Sequence, residues 1–99
     1  MKRYRITYVN FVNRNDGEGW KDSSNGVMGM YNTIEEMQKD IEREISHHKE
    51  CYENAKVTID DNECVITYEY KSWRNDKVER IIIYKLLEFD LDKILEENK

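Results

Sequence analysis

Two histidines and two cysteines have the strongest intrinsic capacity in this chain for metal binding or nucleophilic chemistry. His47 and Cys51 are four residues apart, so a helix would place them on one face, and Cys64 enters a strand that can pass nearby. Imidazole nitrogen and thiolate sulfur are ligands that zinc prefers, and a histidine beside a cysteine can activate a thiol. No C-x-x-C pair accompanies them. We therefore predict no metal site, no cofactor and no catalytic residue, with a small enzyme using His47 and Cys51 as the weakest alternative.

Residues 16–22 (DGEGWKD) invite comparison with loops that bind calcium or phosphate. With Asp16 as the first calcium ligand, Lys21 falls at the sixth position, where glycine is required, and Val27 at the twelfth, where glutamate is required. Neither of the two glycine-rich phosphate-binding patterns occurs in the chain. We interpret the segment as a hairpin connection.

Two tryptophans and an acidic helical segment predict a surface that binds a protein. Trp20 lies in a polar segment, and Trp73 ends a predicted strand beside Arg74. Tryptophan and arginine are residue types that anchor protein interfaces. The acids expected to attract the partner are Glu35, Glu36, Asp40 and Glu44. The alternative interpretations are packing for the tryptophans and a merely solvated face for the acids.

The charge balance restricts the class of partner. The formal net charge is −5, and 37% of the residues are charged. An acidic surface repels phosphate backbones, and the three clustered basic residues Lys2, Arg3 and Arg5 are too few to form a nucleic-acid patch. We therefore expect a protein partner with a basic surface and no nucleic acid. A homodimer remains open.

Length and hydrophobicity indicate one domain outside the membrane. The 99 residues suffice for a single core, and no apolar run approaches the ~20 residues that span a bilayer. The N-terminal MKRYRITYVNF alternates and lacks the continuous apolar centre of a signal peptide. Two cysteines are too few for a disulfide framework. We expect a cytoplasmic protein with one domain over residues 1–99 and a flexible loop at about 13–26.

Residues 33–52 carry the clearest periodicity and predict an amphipathic helix. Thr33 with Glu36 forms the pattern of a capping box, and the early acids and later basic residues complement the helix dipole. The predicted apolar stripe consists of Ile34, Met37, Ile41, Ile45, His48 and Tyr52. We expect His48 to lie at the edge of the core and to bond to the backbone.

The remaining segments predict an antiparallel sheet on which this helix lies. The predicted strands are 3–12, 27–31, 56–60, 63–73 and 78–87, and Asp90 can cap a short terminal helix. The continuous run Ile81–Tyr84 indicates a central strand covered on both faces. The fold class is α+β, with four to five strands in the element order β-β-α-β-β-β-α. One long amphipathic helix covers one face of the sheet.

The composition of the whole chain suggests its origin. Ala55 is its only alanine and proline is absent, whereas residue types with AT-rich codons, such as lysine, isoleucine and asparagine, abound. In size, acidity and codon usage the chain resembles small phage or mobile-element proteins of low-GC bacteria, including inhibitors of defence systems and immunity proteins of toxins. The resemblance implies a non-catalytic inhibitor or adaptor, acting in the bacterial or phage-infected cell, that occupies a basic site on its partner. The alternative is a protein that binds a small ligand or nucleotide, as a monomer or a homodimer.

Overall fold

The structure, a computed structural model that describes residues 1–97, is a five-stranded antiparallel sheet with a long and a short helix. The elements are β1 (Lys2–Asn13), β2 (Trp20–Tyr31), α1 (Ile34–Cys51), β3 (Lys56–Asp60), β4 (Glu63–Lys71), β5 (Lys77–Asp90) and α2 (Leu91–Glu97). The strand order across the sheet is β2-β1-β5-β4-β3. The α+β class and the predicted order of elements are confirmed.

Strand β5 is the centre of the sheet, as the run Ile81–Tyr84 predicted. It pairs with the whole of β1 from Glu79 to Asp90 and with β4 from Lys77 to Lys85. Because successive side chains of a strand point to opposite faces, Ile82 and Tyr84 face the helix, whereas Ile81 and Ile83 point to the other side. The strand therefore has apolar side chains on both faces, but within residues 1–97 a helix covers only one of them, so the prediction that both faces are covered is wrong.

Helix α1 begins where the capping pattern predicted. Thr33 is the N-cap, and its Oγ1 accepts a hydrogen bond from the Glu36 amide at 3.2 Å. The Glu36 carboxylate accepts in return from the amide of Asn32, at 3.3 Å. This reciprocal arrangement satisfies amides that the first helical turn leaves without partners.

The core lies between the predicted stripe of α1 and the even-numbered side chains of β1, β4 and β5. Met37 and Ile41 from the helix pack on the fully buried Ile6 and Ile66. Each such buried side chain stabilises the fold by about 1.5–3 kcal/mol relative to exposure. Cys64, Ile82 and Tyr84 complete the buried cluster. Of the predicted stripe, Ile34 is the exception and is exposed.

The predicted loop at 13–26 is too long. The structure places Trp20–Tyr31 in β2, so that only residues 14–19 connect the first two strands. The polar segment 20–25 pairs with β1, and two register shifts interrupt this pairing, at Ile6/Thr7 and at Asn10/Phe11. An edge strand tolerates polar residues because it is solvated. Residues 20–25 become a strand by pairing with β1, and no sequence pattern within this segment indicates that pairing.

The C-terminal half differs from the prediction only at its turns. Strand β4 ends at Lys71, two residues before the predicted end, and β5 extends to Asp90. Asp90 caps α2 by accepting from the amides of Asp92 and Lys93, at 3.0 and 3.4 Å. Neither helix within residues 1–97 combines the length and the hydrophobicity needed to cross a bilayer.

Candidate functional site

The turn between β4 and β5 presents an exposed tryptophan on a hydrogen-bonded frame. Ser72 organises this turn: its amide donates to Asp76 O at 2.8 Å, and its Oγ accepts from the amides of Arg74 and Asp76 at 3.3 Å. Asn75 adopts a left-handed conformation with φ of 66°, which asparagine tolerates better than most residues. Trp73 is 87% exposed at this turn.

Arg74 covers part of the Trp73 ring. Its guanidinium carbon lies 4.7 Å from the ring centroid, within the range of a cation–π interaction. Two residues that the sequence singled out are thus in contact with each other, at the tip of a hairpin. The tip can present a flat aromatic surface and a fixed positive charge to a partner.

Trp20 lies at the same end of the sheet as this hairpin tip. It opens β2 and pairs with Asn13, the last residue of β1. Its ring, 44% exposed, lines a cleft of about 380 Å³ together with Thr67, Glu79 and Ile81. Trp20 therefore borders the sheet face that points away from α1.

Three of the four predicted partner-binding acids have structural roles on α1. Glu36 belongs to the capping box. Asp40 accepts a hydrogen bond from the hydroxyl of Tyr31, and Glu44 accepts one from the hydroxyl of Tyr84 at 3.3 Å. Only Glu35 is an exposed acid without such a role among these four. Their charges still contribute to the potential around α1.

The acids and the two tryptophans do not form one continuous patch. Trp20 pairs with Asn13, whereas Tyr31, which leads into the acidic start of α1, pairs with Tyr4. These partners are nine positions apart on β1, or about 30 Å at the usual rise of a strand. The tryptophans can anchor a partner by contact. The acids at the start of α1 can act on a partner bound there only through their electrostatic field.

A group of tyrosines, here called the tyrosine ledge, consists of Tyr52, Tyr68 and Tyr70. Tyr52 caps the C-terminus of α1 and stacks on Tyr68, with ring centroids 4.0 Å apart. The ring centroids of Tyr70 and Tyr68 are 6.2 Å apart, and the Nε of Arg80 donates to the Tyr70 hydroxyl at 3.2 Å. All three rings are partly exposed. Tyr68 and Tyr70 alternate on one face of β4, and no local sequence pattern joins them to Tyr52.

A shallow cleft of about 270 Å³ lies beside the ledge, between α1 and the sheet. His48, 8% exposed, donates from Nδ1 to the Glu44 carbonyl at 2.8 Å, which confirms the predicted backbone bond and leaves Nε2 as an acceptor in the neutral ring. The other polar groups of the cleft belong to Tyr8, Asn10 and Tyr84.

Two tyrosines of this cleft, Tyr68 and Tyr84, are held in the neutral form. Burial and the nearby Glu44 carboxylate raise the pKa of Tyr84 well above its usual range. Burial, and after it the neighbouring Tyr52, raises the pKa of Tyr68 to about 12. At neutral pH these hydroxyls are donors and acceptors of hydrogen bonds, which suits binding of a polar ligand better than proton transfer.

The alternative of metal or thiol chemistry at His47 and Cys51 has little geometric support. His47 Nε2 lies 3.8 Å from Cys51 Sγ, and both residues are exposed near the end of α1. Cys64 is buried in the core. Within residues 1–97, no three side chains of His, Cys, Asp or Glu are placed to hold a metal ion.

Comparison of the chain with protein-family models, with curated protein sequences and with solved structures finds no match.

Proposed function

We propose that this protein is a non-catalytic protein-binding module, and that the hairpin tip of Trp73 and Arg74 is its anchor. The observation that carries the proposal is the 87% exposure of Trp73 on a turn fixed by Ser72. Leaving a large aromatic side chain in water forgoes stabilisation that burial would give. A partner that covers the ring recovers that stabilisation in the complex.

The frame of the turn favours binding because the anchor is ordered beforehand. A loop that is disordered in the free protein loses conformational entropy when it binds, whereas a hydrogen-bonded turn loses little. Tyr70, which belongs to the tyrosine ledge, lies three residues before Trp73 on β4. The ledge can therefore extend the contact from the tip toward the end of α1, using residue types that are frequent in interface centres.

The acidic charge supports a partner with a basic surface. The net charge is −5, and the exposed acids of α1 act over roughly the 8–10 Å that salt screening allows. The most specific form of the proposal is a small inhibitor or adaptor of phage or mobile-element type, anti-defence or immunity-like. It would act in the cytoplasm of a low-GC bacterium or of a phage-infected host. This form of the proposal is supported by the composition of the chain and by the exposed anchor of Trp73 and Arg74.

Quantitative capture from extracts of the native cell tests the proposal. The full chain should retain a stoichiometric protein partner, and Trp73→Ala should lose about 2 kcal/mol or more of binding free energy, the usual loss for an interface anchor. The matched control is Ile59→Ala, because Ile59 is also strongly exposed, at 70%, but lies on the edge strand β3. Absence of a stoichiometric partner, or equal losses for both variants, would contradict the proposal.

The cleft beside His48 favours a second candidate, the binding of a small polar ligand or nucleotide. Its hydroxyl, amide and imidazole groups converge on a concave site, although the volume of about 270 Å³ is small for such a ligand. A ligand that binds only the folded state raises the melting temperature. A thermal-shift screen with nucleotides should then give a rise that Asn10→Ala abolishes. A flat response across the screen would remove this candidate.

A further inference from the structure

Arg80, on the face of the sheet that carries α1, is an arginine without an acidic partner. It pairs with Tyr68 on β4 and with Val12 on β1, so its side chain points to the same side as the buried Ile82. The residue is half-buried. It forms no ion pair within residues 1–97, although the chain carries a net charge of −5. Its positive charge is therefore held in place by groups other than carboxylates.

Three neutral side chains from three other strands hold the guanidinium of Arg80. Its Nε donates to the Tyr70 hydroxyl at 3.2 Å. Its Nη1 donates to Asn10 Oδ1 at 3.5 Å and to Ser23 Oγ at 3.2 Å. A guanidinium has five N–H donors, of which these bonds use three. Nη2 therefore keeps both of its N–H groups without an acceptor within residues 1–97.

The same bonds leave the hydroxyl protons of Tyr70 and Ser23 available. A hydroxyl that accepts from a cation directs its own proton elsewhere and can donate it to another group. Neither hydroxyl donates to an acceptor within residues 1–97. Nη2 of Arg80 and the two hydroxyls thus form a set of donors around one positive charge. Such a set suits the oxygens of a phosphate, which guanidinium groups bind through charge-assisted hydrogen bonds.

The side chains next to Arg80 do not oppose an anion. Its neighbours in the paired register of this face are uncharged: Tyr68, Tyr70, Ile66, Ile82, Val78, Val12 and Asn10. Further along the same row, Lys21 on β2 forms an ion pair with Glu18. Asp22 pairs with Phe11 and therefore belongs to the other face of the sheet. A phosphate at Arg80 meets no carboxylate among the paired residues around it.

The cleft beside the tyrosine ledge adjoins Arg80. Asn10 lines this cleft and accepts from Arg80, and Tyr68 lines it and pairs with Arg80. Its volume of about 270 Å³ is below the roughly 300 Å³ at which ligand pockets begin, so the cleft encloses only part of a ligand. The rings of Tyr8 and Tyr68 and the polar groups of Asn10 and His48 suit a planar heterocycle.

The two ends of this cleft differ in charge. At one end the Glu44 carboxylate accepts from the Tyr84 hydroxyl, at 3.3 Å. Tyr84 and Arg80 are four positions apart on β5, or about 13 Å at the usual rise of a strand. Glu44 therefore repels a phosphate and attracts the N–H groups of a heterocycle, whereas Arg80 attracts the phosphate. The charges give a ligand one orientation along the cleft.

We propose that Arg80 binds the phosphate of a nucleoside monophosphate whose base occupies the cleft. The proposal rests on the second candidate function and names its ligand. The phosphate lies outside the cleft, on Nη2 of Arg80 and the hydroxyls of Tyr70 and Ser23, and the base lies against Tyr68. The net charge of the chain does not prevent this binding, because salt screens charges beyond roughly 8–10 Å. A nucleic acid, with its row of phosphates, gains little from a single guanidinium.

Isothermal titration calorimetry of the full chain tests the proposal. The probes are the four ribonucleoside 5′-monophosphates, the corresponding nucleosides and inorganic phosphate. At least one monophosphate should bind about tenfold or more tightly than both its nucleoside and inorganic phosphate, because hydrogen bonds to a charged group contribute that much. Arg80→Gln should remove the advantage of the monophosphate over the nucleoside and leave the affinity for the nucleoside unchanged.

A second variant tests the same site while keeping the guanidinium. Tyr70→Phe retains the ring of the ledge but removes the hydroxyl that positions Nε of Arg80. The monophosphate should bind severalfold more weakly to this variant, and the nucleoside should bind equally well. The matched control is Arg3→Gln, because Arg3 lies at the other end of β1 and pairs with Phe89. It should alter neither affinity, and circular dichroism verifies the fold of each variant.

The outcomes separate this proposal from the second candidate function. A nucleoside that binds as tightly as its monophosphate overturns the phosphate site and keeps the cleft. Equal losses for Arg80→Gln and Arg3→Gln do the same, and if Arg80→Gln does not fold, unchanged binding to Tyr70→Phe decides against the site. Inorganic phosphate that binds as tightly as every monophosphate overturns the role of the base. If no probe binds with a dissociation constant below about 1 mM, the nucleotide form of the second candidate function falls as well. The capture experiment with Trp73→Ala is independent of all these results.

Discussion

Tyr68 shows how one side chain links the tyrosine ledge to the core. Its ring stacks on Tyr52 at one side and contacts His48, at 5.5 Å between centroids, at the other. Burial raises its pKa to about 12. The ring of Tyr68, with its hydroxyl neutral, therefore links the end of α1 to the sheet through its contacts with Tyr52 and His48.

The raised pKa predicts a loss of stability in alkali. An unfolded tyrosine ionises with a pKa of about 10, so the unfolded state gains charge first as the pH rises. The contribution of Tyr68 is fully present below pH about 10 and is lost as the pH approaches its folded-state pKa of about 12. The free energy of unfolding, measured with urea at pH 8 and pH 11, should fall less in Tyr68→Phe than in the wild-type chain. An equal fall in both proteins would contradict the assignment.

At the scale of elements, local periodicity predicted α1 and the meander β3–β4–β5. The helix follows from its stripe and from Thr33, and the central place of β5 follows from its apolar run, since both patterns lie within the segment that folds. Strand β2 was predicted too short because residues 20–25 are polar and become a strand only by pairing with β1. Gly29 in this strand also has a reason: a Cβ there would overlap the hydroxyl of Tyr31.

The candidate site was also predictable only in part, because contacts between segments that are distant in the sequence leave no local pattern. Trp73 and Arg74 are adjacent in sequence, so their contact could be expected. The tyrosine ledge joins the end of α1 to β4, and no local sequence pattern predicts this contact. Which side chains share a face across β1, β4 and β5 depends on the register between these strands, which becomes known only when the strand order is known.

At the scale of the molecule, the proposed anchor and the acids at the start of α1 occupy different places. The hairpin tip and the tyrosine ledge lie toward one end, and the start of α1 lies at the other end of a molecule 54 Å long.

The separation of anchor and acids predicts how salt affects association with the partner. Contact residues such as Trp73 determine the dissociation rate, whereas charges at a distance mainly determine the association rate. Raising the salt concentration from about 50 to 500 mM shortens the screening length from roughly 14 to 4 Å, so the association rate should fall severalfold while dissociation changes little. Replacing Glu35 by Gln should reduce this salt dependence, because Glu35 is exposed at the start of α1 and its charge has no hydrogen-bonding role in the capping box. Surface plasmon resonance with the captured partner measures both rates. A salt effect confined to dissociation would show that the acids do not steer the encounter.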